Sequence, residues 1–197
     1  MNANQNSLNE IPVIMFKHPK DWADWLDKNH AVSSGLWLRL AKKAAGLESV
    51  NYDEALEVAL CYGWIDGQKK SCDDSSWLQK FTPRGAKSIW SKINRAKAEK
   101  LIENGQMKPA GLLAVECARQ AGRWEAAYDS QSEATVPLDF QTSLNGNAQA
   151  KAFFATLDSR NRYAILFRIQ TAKKAETRAR RIEQFIKMLE QNEKVYP

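Results

Sequence analysis

Residues 64–81 read Trp-Ile-Asp-Gly-Gln-Lys-Lys-Ser-Cys-Asp-Asp-Ser-Ser-Trp-Leu-Gln-Lys-Phe. Two short extended runs, 64–71 and 76–81, flank a polar turn at 72–75, and this pattern predicts a β-hairpin. The segment Gly35-Leu-Trp-Leu-Arg-Leu-Ala41 alternates leucine with Trp37 and Arg39, which is the period of two expected of a strand. The three strands together predict a small antiparallel sheet in the N-terminal half of the chain.

Helical periodicity and helix-start signals occupy most of the remaining sequence. Pro19 suits a helix start because the missing N–H costs little there, and Asn51 or Asp53 suits the residue that caps the next helix. The helical segments are 21–29, 53–62, 88–104, 109–121, 148–156, 160–171 and 172–192. The predicted fold class is therefore α+β, mainly α-helical, with a helical C-terminal part.

The domain organisation follows from composition along the chain. We expect an α+β core domain at residues 1–122, a linker at 123–147 that contains Pro137 and Gly146, and a basic helical C-terminal region at 148–197 that packs on the core. The Asn- and Gln-rich residues 1–10 are predicted to form a flexible leader.

The charge is concentrated at the C-terminal end of the chain. Of 29 Lys and Arg and 23 Asp and Glu, residues 1–150 hold 18 of each, so 151–197 hold 11 against 5 and carry the whole net charge of +6. Such a basic region attracts phosphates or acidic partners, although a solvated helix face explains it equally. A hydrophobic fraction of 44% with seven Trp excludes a disordered chain.

The common catalytic and cofactor motifs are absent from the sequence. It contains no Gly-rich dinucleotide or phosphate loop, and His18 and His30 lack the spacing of a zinc site. We therefore predict no metal, no cofactor and no catalytic residue. Asp66 is the one candidate general base, so an enzyme of unrecognised type remains an alternative.

Three features predict a cytoplasmic protein without a membrane span. The first ten residues lack the basic start and apolar run of a secretory signal. No apolar stretch approaches the roughly 20 residues that cross a bilayer. The three cysteines, Cys61, Cys72 and Cys117, form no disulfide framework, and an odd count favours free thiols in a reducing compartment.

A candidate ligand site lies between Gly63 and Asn94. Aromatic rings offer apolar surface, a few polar groups fix a ligand's orientation, and Arg can hold a carboxylate or phosphate with two hydrogen bonds. The alternative is that the Trp residues belong to the core and that Asp66 pairs with Arg84 or caps a turn. The candidate residues are Trp64, Asp66, Gly67, Arg84, Trp90, Ser91 and Asn94.

These residues also carry a resemblance to a known family. The matching stretches are Ala59-Leu-Cys-Tyr-Gly-Trp-Ile-Asp-Gly67, Phe81-Thr-Pro-Arg84, Ser88-Ile-Trp-Ser-Lys-Ile-Asn94, Ala98-Glu-Lys-Leu-Ile-Glu-Asn-Gly105 and Ala172-Lys-Lys-Ala-Glu-Thr-Arg178 with Arg181-Ile182. On these stretches, which lie between residues 59 and 182, the chain resembles the YdeI/OmpD-associated, or bacteriocin-protection, family, and the resemblance covers roughly residues 16–189.

The resemblance implies a bacterial protein connected with tolerance of antimicrobial peptides and with an outer-membrane porin. It brings no reaction and no catalytic residues. Because an export signal is not recognisable here, a role at a porin does not carry over. The family motifs coincide with the candidate ligand site, so the resemblance favours a non-catalytic ligand- or peptide-binding protein in stress or antimicrobial-peptide tolerance.

The basic C-terminal region extends this hypothesis. Lys173, Lys174, Arg178 and Arg181 lack the Glu partner four residues away that other cations of this helix have. Lys173 and Arg178 could complete a site for a small anionic molecule or peptide, and the cluster could also bind an acidic patch. The alternative is that it pairs with acids of the neutral core when this helix docks across it.

Nucleic-acid binding is the competing hypothesis. It uses the hairpin at 66–81 as a wing beside a basic helix, with phosphate contacts dominating the affinity. Glu99 and Glu103 dilute the charge of that helix. The basic residues in this reading are Lys92, Arg95, Lys97, Lys174 and Arg181.

Overall fold

The structure is a computed structural model that describes residues 11–197, so the predicted leader at 1–10 lies outside the described residues. Within them the chain forms four strands and eight helices, which confirms the α+β, mainly helical prediction. The strands are β1 (Val13–Ile14), β2 (Leu36–Ala41), β3 (Trp64–Ser71) and β4 (Ser76–Pro83). The helices are α1 (Pro19–Asn29), α2 (Tyr52–Cys61), α3 (Lys92–Glu103), α4 (Pro109–Gln120), α5 (Leu138–Asn145), α6 (Ala148–Thr156), α7 (Ser159–Gln170) and α8 (Ala175–Glu190).

The described chain divides into two compact units. The N-terminal unit comprises residues 11–89 with Asn94–Glu125, and the C-terminal unit comprises Trp90–Ile93 with Ala126–Pro197. In residues 11–197 no helix combines the length and the apolar character that crossing a bilayer requires.

The sheet of the N-terminal unit has the strand order β1-β2-β4-β3. The hairpin pair β3–β4 and the pair β2–β4 are antiparallel, as the period-two patterns predict. The three predicted strands therefore pair as expected, and the sheet is mixed because a fourth strand, β1, adds a parallel pair in which Val13 pairs with Trp37. A two-residue strand is too short for any alternation to reveal it.

One face of the sheet forms the core of the N-terminal unit. Leu36, Leu38 and Leu40 are buried there, at the alternate positions of β2. Trp22 of α1 lies 5.9 Å from the ring of Phe81 in β4, and its Nε1 donates a hydrogen bond to the carbonyl oxygen of Ala55 in α2. These contacts hold both helices against the same face.

Helix α2 begins where the sequence predicts, at the cap Asn51. Its side chain accepts a hydrogen bond from the Glu54 N–H at 3.0 Å, and the Glu54 carboxylate accepts one from the Asn51 N–H at 2.9 Å. This reciprocal capping box satisfies two backbone donors at the first turn. Helix α3 begins at Lys92 rather than at the predicted Ser88. The backbone of Trp90 and Lys92 instead bonds to Tyr128, which holds the preceding residues extended.

The core of the C-terminal unit is formed by α5, α6, α7 and α8. Phe140 of α5 and Phe154 of α6 meet edge to face with ring centroids 5.4 Å apart. The other fully or nearly buried members include Leu144, Ile165, Ile169, Phe185 and Leu189.

Part of the segment predicted to be a linker is therefore helical. Helix α5 occupies 138–145 within 123–147, and its Phe140 and Leu144 are 0% and 1% exposed. The Ser, Asn and Gly content of this segment predicts a loop. Phe140 and Leu144 are four residues apart and therefore share one helix face, which two residues alone do not reveal as a pattern.

Candidate functional site

The structure distributes the predicted ligand-site residues over both units. Trp64, Asp66, Gly67, Arg84 and Asn94 belong to the N-terminal unit, whereas Trp90, Ser91, Lys173 and Arg178 belong to the C-terminal unit. We therefore describe the surroundings of each set within its own unit.

Trp64 is a core residue of the N-terminal unit. Its side chain is 1% exposed, and its ring meets those of Trp22 and Trp25 edge to face at 6.0 and 5.9 Å. The indole Nε1 donates to the carbonyl oxygen of His30 at 3.2 Å, so its polar atom is satisfied internally. Burial of this ring supports the alternative interpretation of the Trp residues as fold determinants.

Asp66 and Gly67 stabilise the hairpin strand on which they lie. Asp66 accepts a hydrogen bond from the Tyr52 hydroxyl at 2.9 Å. The pairing of β3 with β4 shifts in register between Asp66 and Lys69. At this shift the side-chain amide of the buried Gln79 donates a hydrogen bond to the Gly67 carbonyl oxygen at 3.0 Å. The carboxylate therefore orients Tyr52, and Gly67 lies in a β-bulge.

Arg84 follows the last residue of β4 and lies beside the start of β3. Its backbone N–H donates to the carbonyl oxygen of Gly63 at 2.9 Å, and its Nη1 donates to that of Ile89 at 3.3 Å. Asn94, 8% exposed, lies in the first turn of α3. In the β3–β4 pairing Trp64 pairs with Pro83, so the backbone of Arg84 lies beside that of Gly63.

Trp90, Ser91 and Lys92 pair with a single segment of the C-terminal unit. Trp90 is 2% exposed, and its carbonyl oxygen accepts from the Tyr128 N–H at 3.0 Å, while Ser91 forms a bridge with Tyr128. Lys92 Nζ lies 2.5 Å from a carboxylate oxygen of Asp129. The hydrogen bond from Lys92 holds the pKa of Asp129 below its usual range.

Arg178 forms a two-handed ion pair inside the C-terminal unit. Its Nε and Nη2 donate to the two carboxylate oxygens of Asp139 at 2.5 and 2.8 Å, and its Nη1 donates to the Ile169 carbonyl oxygen at 3.0 Å. Bidentate hydrogen bonding from Arg178 lowers the pKa of Asp139. Arg178 thus ties α8 to α5, while Lys173 and Lys174 are exposed.

Four of the five basic residues assigned to nucleic-acid binding, Lys92, Arg95, Lys97 and Arg181, also have internal partners. Arg95 donates to the Trp124 carbonyl oxygen at 3.2 Å, and Lys97 lies 2.8 Å from Glu57. Arg181 donates to the carbonyl oxygen of Arg168. Because neighbouring acids balance part of this charge, the helix α3 offers less positive potential than its sequence suggests. The nucleic-acid hypothesis stays a prediction.

A groove of about 660 Å³ lies between α5 and α8 in the C-terminal unit. Its floor consists of Ala175, Ala179, Ile182 and Ile186, and Ser143 of α5 faces them from the other wall. The charged groups at the rim are Asp139, Arg178, Glu183, Lys187 and Glu190. Of the predicted site residues, Arg178 lines this groove.

The apolar residues of α8 recur every three to four positions, as in an amphipathic helix. In the structure Phe185 and Leu189 are buried, while Ala175 and Ala179 of the same helix are exposed. The signal that could have identified the groove is the change from large to small apolar residues toward the N-terminal end of the stripe.

The described residues contain no group of three His, Cys, Asp or Glu side chains arranged to hold a metal ion. Cys61 is a buried free thiol, and Cys72 and Cys117 are exposed free thiols.

Two family models match the chain. One, described as Domain of unknown function (DUF8412), covers residues 14–114, just over half of the 197 residues. The other, described as Bacteriocin-protection, YdeI or OmpD-Associated, covers residues 133–192 and confirms the resemblance on the C-terminal part. The motifs at 59–105 fall within the first match. Searches of curated proteins and of solved structures return no match. The chain therefore belongs to the Domain of unknown function (DUF8412) family, and its residues 133–192 carry the Bacteriocin-protection, YdeI or OmpD-Associated region.

Proposed function

We propose that the protein binds a cationic amphipathic peptide in the α5–α8 groove and acts without catalysis in tolerance of such peptides. The observation that carries the proposal is the groove itself, an apolar floor between charged rims on a helix face of one compact unit. A volume of about 660 Å³ lies within the range of roughly 300–1,000 Å³ that is typical of ligand sites.

The floor has the repeat that a helical peptide requires. Ala175, Ala179, Ile182 and Ile186 are spaced by four, three and four residues, so they form one ridge along α8. At 1.5 Å per residue this ridge is about 16 Å long, which corresponds to three turns of an incoming helix. The two alanines leave room for large side chains of the partner to enter.

The rim favours a cationic partner. It carries three carboxylates, Asp139, Glu183 and Glu190, against the two cations Arg178 and Lys187. Arg178 is held by Asp139, and Lys187 lies 2.7 Å from Glu183, so the remaining acid of the rim is Glu190. Complementary charge mainly increases specificity and the association rate. The affinity comes mainly from the apolar floor.

The family comparison supports the same site. All residues that line the groove fall between 139 and 190, within the segment matched by the model described as Bacteriocin-protection, YdeI or OmpD-Associated. Bacteriocin protection is what that description says of the family. For this chain it is part of the proposal.

The test is a titration of the purified protein with a fluorescently labelled 15-residue Leu/Lys amphipathic peptide, followed by anisotropy. Ala179→Gln places a longer side chain on the exposed floor and should weaken binding by tenfold or more, about 1.4 kcal/mol. Ala152→Gln, an equally conservative change at an exposed position of α6 outside the groove, is the matched control and should bind as the parent does.

Two results would contradict the proposal. Equal affinity of the parent and Ala179→Gln for the peptide would place binding elsewhere. Equal affinity for a Leu/Glu peptide of the same length would remove the role of the acidic rim. Bacteria that produce the protein should survive the cationic peptide better than bacteria that produce Ala179→Gln.

A cytoplasmic location is part of the proposal. Exposed free thiols at Cys72 and Cys117 support it because such thiols persist in a reducing compartment. Fractionation of cells that produce the protein would test it, and recovery in a periplasmic fraction would contradict it.

A further inference from the structure

A second cavity lies in the N-terminal unit, where four separate segments converge. Its volume is about 500 Å³. Lys42 and Lys43 come from the segment after β2, Tyr52 from the start of α2, Lys69 from β3 and Trp77 from β4. These segments are far apart in sequence, so the cavity exists only in the folded unit.

The cavity is cationic. Lys42, Lys43 and Lys69 line it, and Lys70 contributes to the lining although its ammonium lies 4.4 Å from the Trp37 ring centroid outside the cavity; among the described lining residues there is no carboxylate. All four lysines are exposed. Clustering of like charges around a concave surface raises the local positive potential and concentrates anions there.

Two acids on the strands and turn beside the cavity, Asp66 and Asp73, are engaged by other groups. Asp66 accepts from the Tyr52 hydroxyl at 2.9 Å. Asp73 lies 2.7 Å from Arg39 and also accepts from the hydroxyls of Ser75 and Ser76. Lys42 Nζ meets Asp73 only at its backbone carbonyl oxygen, at 2.9 Å. Neutralisation of the cavity by these carboxylates is therefore incomplete.

One wall of the cavity is aromatic. The rings of Tyr52 and Trp77 have centroids 6.1 Å apart with planes tilted by 39°. Lys69 Nζ lies 4.2 Å from the centroid of the Trp77 ring. Asp66 fixes the Tyr52 ring through its hydroxyl, so this wall is held in place before any ligand binds.

From this geometry we infer that the cavity binds a small organic anion, a flat ring that carries a phosphate or a carboxylate. The ring packs on Tyr52 and Trp77, and the anionic group binds Lys43 and Lys69. The Lys69 side chain is flexible, so its ammonium can move from above the Trp77 ring to contact the anionic group. This site is separate from the peptide groove and does not depend on it.

Isothermal titration calorimetry with four probes tests the inference. Adenosine 5′-monophosphate carries a ring and a phosphate, 1-naphthoate carries a ring and a carboxylate, adenosine carries the ring alone and inorganic phosphate the anion alone. We expect the first or second probe to bind at least tenfold more tightly than both of the last two. Which of the first two binds distinguishes a phosphate from a carboxylate ligand.

Variants then locate the binding. Lys69→Gln and Lys43→Gln should each weaken binding of the preferred probe several-fold, whereas Lys28→Gln removes an equal charge from an exposed position of α1 and should leave it unchanged. Both cavity variants change exposed side chains, so they should fold.

Three results would overturn the inference. They are equal affinity for inorganic phosphate alone, equal affinity for adenosine alone, or equal loss of affinity in Lys28→Gln. The labelled peptide of the previous section should bind Lys69→Gln as it binds the parent, so failure of this site and failure of the groove give different results.

Discussion

Gly63 joins α2 to β3 in a backbone conformation that only glycine adopts easily. Its φ is +71°, and a Cβ added there would lie 2.8 Å from the carbonyl oxygen of Ala110. Gly63→Ala should therefore lower the free energy of unfolding by more than the roughly 1–2 kcal/mol of left-handed strain alone. Urea unfolding measures the difference.

Gly105→Ala is the matched control for this prediction. Its φ is +66°, nearly that of Gly63, but no atom lies within 4 Å of an added Cβ. Gly105→Ala should lower the free energy of unfolding only by the cost of the left-handed backbone, without a steric clash at Cβ. Equal losses in the two variants would mean that the approach of Ala110 is not a constraint.

The pair Asp139–Arg178 makes the stability of the C-terminal unit depend on pH. The hydrogen bonds from Arg178 lower the pKa of Asp139 in the folded state. A lowered pKa stabilises the fold above the unfolded value near 4, and this stabilisation is lost as the pH falls through the lower folded value. Because Asp139 is half exposed, we expect Asp139→Asn to cost only about 1 kcal/mol at pH 7.

Urea unfolding from pH 7 down to pH 2 measures this effect, and the difference between Asp139→Asn and the parent should shrink toward the acid end. A double-mutant cycle with Arg178→Gln isolates the pair from other effects of each change. A coupling energy of zero would show that the pair does not stabilise α8 against α5.

At the scale of the element, two residues of α5 should differ greatly in their contribution to the free energy of unfolding. Phe140 is 0% exposed and packs on Phe154, whereas Leu138 is 82% exposed. Phe140→Ala should cost about 3–5 kcal/mol because it leaves a cavity in the core. Leu138→Ala should change stability by less than about 0.5 kcal/mol.

Thermal unfolding of the two variants measures both effects in one helix. Similar, small losses would mean that the segment 123–147 behaves as the linker that its composition suggests. A large loss confined to Phe140→Ala would make α5 part of the core.

The sequence predicts most elements because their signals are local. Pro19 and Asn51 mark the starts of α1 and α2, and alternation in 36–41 marks β2. The strand β1, with two residues, and the helix α5, with about two turns, were not predicted because neither is long enough to show a periodic pattern. Element type thus follows from the chain alone wherever a pattern extends over several repeats.

The candidate sites are less predictable, because they depend on tertiary packing. The sequence cannot show whether an aromatic ring is in the core or in a cavity, and Trp64 lies in the core. Tyr52 and Lys43 line a cavity with Trp77 only because the fold brings their segments together. Pairing of Arg178 with Asp139, 39 residues away, is likewise invisible before folding.

At the scale of the whole molecule, the two proposed sites should differ in their response to salt, because one is lined by lysines and the other has an apolar floor. The Debye length falls from roughly 10 Å at 0.1 M to about 3 Å at 1 M, so attraction of a small anion to the lysine-lined cavity should weaken markedly. Peptide binding on an apolar floor should change much less. Titrations at both salt concentrations measure this, and equal salt dependence at the two sites would contradict it.

The grouping of Trp22, Trp25 and Trp64 in the N-terminal unit has an optical consequence. Their rings lie 5.4–6.0 Å apart in fixed orientations, close enough for the indole transitions to couple. The folded protein should therefore show a paired positive and negative band in its circular dichroism that isolated indoles lack. The amplitude of that band would follow the assembly of this one core in real time, without any label and independently of helix content.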